Sequence, residues 1–150
     1  MSLGFNVAPV AASSATNAWI FPALFGHIRN SFFAYNYALQ WNGRIWRASK
    51  FPRKLIVQSA AAFSRTDAWA FGMFYRSENF LVPYNARYNG HAWRKVLLPG
   101  EPFAVSAVSR SDMWAVGPSL KTATMAPDKQ VIIAMHWTGR SWHTLAIPTR

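Results

Sequence analysis

Cysteine is absent from the 150 residues, acids are scarce and no apolar run is long. Without cysteine there is neither a disulfide framework nor a thiolate metal site, and the redox compartment leaves no mark. Only five Asp or Glu stand against 16 Lys or Arg, a net charge of +11. So few carboxylates leave little material for acid/base chemistry. The positive excess favours an acidic partner: nucleic acid, an anionic surface or an acidic protein patch. The charges form no run, however, and an unclustered excess also serves solubility alone. No stretch reaches the roughly 18 apolar residues of a membrane helix, so membrane insertion is not expected. Arg29 is the first charged residue, yet "MSLGFNVAPV" lacks the basic start and compact apolar stretch of a secretion signal.

Aromatic residues are plentiful, with eight tryptophans, and disordered chains are poor in them. They fall in a pattern. "WNGRIW" (41–46), "YNGHAW" (88–93) and "WTGRSW" (137–142) repeat one cadence, each followed by a proline at Pro52, Pro99 or Pro148. Upstream stand "AASSATNAWIF", "AAFSRTDAWAF" and "SAVSRSDMWAV". They share Ala12, Ala62 and Ala107, then Ser14, Ser64 and Ser109, then Asn17, Asp67 and Asp112, then Trp19, Trp69 and Trp114. Repeats of this length mark stacked supersecondary units, none of which buries its apolar face alone.

Each unit reads as four short strands. "PFAVSAVS" (102–109) predicts a buried inner strand, and "SRSD" a turn whose Asp folds back on nearby backbone. "DMWAVG" is the second strand and "QVIIAMHW" the third. The turn pair, Asn-Gly in the first two copies and Thr-Gly here, is a two-residue hairpin signal that joins the third strand to "RSWHTLAI", which the proline ends. Four antiparallel strands per unit of about 47 residues is a β-propeller blade. A helix through "SFFAYNYALQW" would break the alignment with "QVIIAMHW". The expectation is therefore an all-β chain of three blades, at about 5–53, 54–100 and 101–150.

The pattern [DN]-x-W-A-[VF]-G followed by W-N-G-x-x-W resembles the repeated propeller modules abundant in actinobacterial proteins. "WRKVLLPGEPFAVSA" leading to "DMWAV" is also similar to tectonin and tachylectin lectin repeats. The likeness runs from about residue 8 to 148 and implies the fold, with glycan binding as one function. Kelch blades carry a double glycine missing here. The sialidase Asp-box needs Asp two residues before its glycine, where this chain has Trp41, Tyr88 and Trp137.

Propellers have about four to eight blades, and this chain supplies three. It is expected to be an excerpt of a longer protein, to dock on another, or to pair with a second copy as a six-bladed ring. Antiparallel order puts the first and third turns of each blade on the same side. That gathers Arg65 and Arg110 with Arg44, His91 and Arg140, and with Arg47, Arg94 and His143 nearby, as a candidate anion-binding face. The alternative is that long Arg stems merely cover Trp surface. "PALFGHIRNS", "GMFYRSENF" and "GPSLKTATMAPDK" read as variable loops, where Phe25, Phe74 and Tyr75 are candidate contacts. Trp19, Trp41, Trp46, Trp69, Tyr88, Trp93, Trp114, Trp137 and Trp142 are expected to be scaffold. The four histidines lack ligand spacing, and no phosphate loop or nucleophile elbow appears. No metal, cofactor or catalytic activity is therefore expected. The expected role is a binding or scaffold module for a protein partner, with lectin-like glycan binding and nucleic-acid association as alternatives.

Overall fold

The computed structural model describes residues 2–5, 9–22, 24–28, 31–34, 37–52, 55–77, 80–122 and 127–148; for 2–5, 24–28, 31–34, 75, 77, 80–81 and 127 this covers the backbone alone. The first stretch holds β1 (Ser2–Phe5), β2 (Val10–Ser14), β3 (Asn17–Ile20), β4 (Leu24–Ile28), β5 (Ser31–Ala34), β6 (Tyr37–Trp41) and β7 (Trp46–Lys50). Next come β8 (Leu55–Ser64), β9 (Asp67–Ser77), β10 (Phe80–Tyr88) and β11 (Trp93–Val96). Then follow β12 (Ala104–Ser109), β13 (Asp112–Pro118), a 3-10 turn at Pro127–Lys129, β14 (Ile132–Trp137) and β15 (Trp142–Ala146). Three four-stranded antiparallel sheets result, ordered β2-β3-β6-β7, β8-β9-β10-β11 and β12-β13-β14-β15. The helix alternative for "SFFAYNYALQW" is replaced by β5 and β6. By contacts the chain divides into two compact units, Met1–Val96 with the first two sheets and Leu97–Arg150 with the third.

Two of the expected loops are strands. "GMFYRSENF" continues β9 and opens β10, and β1, β4 and β5 form a further three-stranded sheet. That small sheet is the outer end of the first blade. Phe5 opposes Leu24, and the residues fifty positions on, Leu55 and Phe74, oppose each other in the second blade. In "GMFYRSENF" the aromatic residues Phe74, Tyr75 and Phe80 favour extended pairing over a loop.

Register sorts the side chains, because directly opposed residues point to one side of a sheet. One row crosses the first blade as Ala11, Trp19, Gln40 and Arg47. Its equivalents are Ala61, Trp69, Arg87 and Arg94, then Ser106, Trp114, His136 and His143. This is the front row. The back row is Ala18, Trp41 and Trp46 in the first blade, Ala68, Tyr88 and Trp93 in the second, and Met113, Trp137 and Trp142 in the third. The core of the first unit forms where the first blade's front meets the second blade's back. Trp19 lies edge-on to Tyr88 and Trp93 at 5.0 and 5.4 Å, and Trp93 also packs on Phe21 and Phe51. Ala38, Leu55, Val57, Ala68, Ala70, Tyr84 and Ala86 complete that cluster. Small residues on the second blade's inner strands let the sheets approach.

β12 departs from the expected buried inner strand, since most of it is exposed. Its small front residues Ala104 and Ser106 lie beside Trp114, which is itself uncovered.

Candidate functional site

Two turns meet at one end of every blade. The first is a two-residue link with Ser14, Ser64 or Ser109 before it, whose Oγ accepts the backbone N–H of Thr16, Thr66 or Ser111 at 3.2–3.3 Å. The second turn is a four-residue loop, since Trp41 opposes Trp46, Tyr88 opposes Trp93 and Trp137 opposes Trp142. It is not the two-residue hairpin that Asn-Gly suggests. Instead Asn42 Oδ1 accepts the N–H groups of Arg44 and Ile45, and Asn89 Oδ1 those of His91 and Ala92, all at 3.0–3.1 Å. Gly43, Gly90 and Gly139 follow at φ of 94, 95 and 87°. A Cβ on Gly43 or Gly90 would stand 3.0 Å from the Thr16 or Thr66 methyl, so the two turns touch. Trp41 Nε1 donates to the Ala15 carbonyl and Trp137 Nε1 to that of Arg110, closing the same contact.

The repeated Asn/Asp reaches across the sheet as well as within its turn, where Asn17 Nδ2 donates to Ser13 Oγ at 2.7 Å. Gln40 Nε2 donates to Asn17 Oδ1 at 3.2 Å, and Arg87 grips Asp67 through two bonds of 2.8 and 2.9 Å. His136 Nε2 meets Asp112 Oδ1 at 2.8 Å. Each of these partners sits opposite the repeat tryptophan. Arg87 covers Trp69 at 5.0 Å and His136 stacks on Trp114 at 4.2 Å. In the second and third copies the unit is thus a polar pair capped by an indole, where the pair holds the polar side chain against the ring. Spacing alone conceals the partner, because it differs chemically in each copy.

Of the candidate basic residues, the first unit brings Arg47, Arg65 and His91 together around a cleft of about 490 Å³. Lys50 and Gln40 join them, with Ser49, Tyr88 and Ala92 completing the wall. Lys50 was missed because it stands outside the turn pattern; its closeness to Arg47 on β7 was the available signal. No acid is among the described lining residues. The walls are tied by Gln40 Nε2 donating to the Arg65 carbonyl at 2.9 Å and by Arg65 Nη2 donating to the Asn42 carbonyl at 3.0 Å. Trp93 Nε1 donates to Ser49 Oγ at 3.1 Å. Arg44 is exposed at the tip of its turn, and Arg94 is exposed on β11 opposite Arg87. Neither lines the cleft. In the second unit Arg110 and Arg140 occupy the two touching turns, and the exposed His143 at the start of β15 contacts Ser141 Oγ through Nε2 at 2.9 Å.

Among the proposed loop contacts, Phe74 is half-buried in β9, edge-on to Tyr84 at 5.6 Å and packed on the core cluster. The side chains of Phe25 and Tyr75 lie outside the described residues. The repeat aromatics divide. Trp19, Trp69, Trp93 and Trp137 are buried, Trp41, Tyr88 and Trp142 are half-buried, and Trp46 and Trp114 are exposed.

A solved structure of YCF48 bound to D1 peptide is similar over 95% of this chain, with a TM-score of 0.54 at 12% identity. The fold is that of β-propeller blades. The chain spans 43% of that structure, so it corresponds to part of a propeller. No family model and no curated protein matches the chain. Among the described residues, no group of three or more His, Asp or Glu is placed to hold a metal ion. No helix there is long and apolar enough to cross a membrane.

Proposed function

We propose that this chain is a non-catalytic binding module that engages an acidic segment of a protein partner in the cleft between its first two blades. The observation that carries this reading is the lining itself, with Arg47, Lys50, Arg65 and His91 around one concavity and no described acid among them. Arg65 is held by Asn42 and so presents its guanidinium without first having to order a free side chain. The similar YCF48 structure contains a D1 peptide, which makes peptide binding a use this fold supports.

A short labelled poly-glutamate peptide, followed by fluorescence anisotropy, tests the reading. Arg47→Ala combined with Lys50→Ala should weaken its binding about tenfold, as expected for losing charge-assisted contacts. Unchanged affinity in that variant would refute the cleft. If a single-stranded oligonucleotide binds far more tightly, with a steep salt slope, nucleic acid takes the peptide's place.

A further inference from the structure

The contact between the first two blades has two halves, and both halves recur unpaired elsewhere in the chain. Its front half is Trp19, Phe21 and Phe51, none more than 2% exposed. The register and repeat positions of the third blade assign the same places to Trp114, Val116 and Ile147, which are 42, 38 and 40% exposed. The back half centres on Trp93, only 3% exposed, whose counterpart in the first blade, Trp46, is 44% exposed.

We infer that the exposed front of the third blade binds the exposed back of the first blade of a second copy, reproducing head to tail the contact between blades one and two. Three observations fix the occupant. The surface is apolar: with Trp114 and Val116 it includes Ile132 and Leu145, and Val10 extends the opposing surface. Single exposed apolar residues are ordinary on a protein, but a contiguous group at a repeated packing position is not. Next, the third blade's front is open. A shallow depression of about 300 Å³ lies over Ala104, Ser106, Trp114, Val116 and Ala134, whereas β2, the counterpart of β12 in the first blade, packs against β8. Finally, an exposed aromatic surface of the matching kind is present in the same chain, at Trp46 beside Trp41, with the rings 5.5 Å apart.

The match is not complete. Ala15 takes the place of Arg65, so the guanidinium bond that ties blade two to blade one has no counterpart. The copy-to-copy contact should therefore be weaker than the internal one and depend on concentration. A front-to-back contact is heterologous, which closes as a ring or propagates.

Complementation tests this directly. Light scattering over a concentration series should show the 150-residue chain moving from 16.9 kDa towards at least twice that mass. Val116→Lys spoils the front and Trp46→Lys the back, and each alone should remain monomeric. Mixed in equal amounts they should form a one-to-one dimer, because one retains a good back and the other a good front. Val10→Lys replaces Trp46→Lys if the latter loses its circular dichroism spectrum. A wild-type chain that stays monomeric throughout overturns the inference. So does association that survives both single variants, or two monomeric variants whose mixture fails to dimerise.

Discussion

Burial pushes the Glu101 carboxyl up from the usual carboxylate range, because removal from water penalises its charged form. The folded chain then holds this proton more tightly than the unfolded chain does. The contribution of Glu101 to stability is in full below the ordinary carboxylate range of the unfolded chain, and is lost as pH rises through the elevated folded value. Glu101→Gln keeps the shape without the charge. It should raise the melting temperature at pH 7, with the advantage shrinking towards pH 4. A melting series across that range, wild type against variant, checks it; a constant difference would show that the charge plays no part. Arg87 and His136 carry a lesson at the same scale. Their roles follow from a register that puts each opposite a tryptophan and beside an acid. The repeat signals the acid and the indole but not the partner between them.

At the scale of the element, the paired turns set how strictly the repeat is enforced. Gly90 has a φ of 95°, a region L side chains avoid, and a Cβ there would meet the Thr66 Cγ2 and Cβ at 3.0 and 3.1 Å. Gly90→Ala should cost about 1–2 kcal/mol from the backbone alone, measured as a lower denaturation midpoint. Adding Thr66→Ser removes the methyl and should recover only part of the loss, because the backbone strain and the Thr66 Cβ contact remain. Full recovery would assign the cost to the methyl alone. The turns also show what the sequence made legible. The three four-stranded sheets, their strand order and the placing of the two turns on one side follow from alternation and from Ser, Asx and Gly at fixed offsets. The strand character of "PALFGHIRNS" and "GMFYRSENF" does not, because divergence between copies reads as a loop when it reflects only a longer hairpin. The exposure of β12 was also hidden, since a strand built for burial shows its pattern whether or not anything covers it.

For the whole molecule, the net charge of +11 acts on the two proposed contacts with opposite sign. Two copies approaching each other carry like charge, and their apolar faces must overcome that repulsion. Screening shortens its reach to about 8 Å at physiological ionic strength. Added salt should therefore promote copy-to-copy association, seen as a rising average mass at fixed protein concentration. The basic cleft gains from the same field when its ligand is acidic, so salt should weaken poly-glutamate binding over the same range. Sodium chloride raised from about 50 to 300 mM spans that change in screening, and both readings can be taken from one series. If association and peptide binding both weaken, charge rather than the Trp114 face holds the copies together. If both are insensitive, neither contact feels the charge excess. Rising mass with falling peptide affinity is the outcome expected when the blade face and the cleft are physically separate devices.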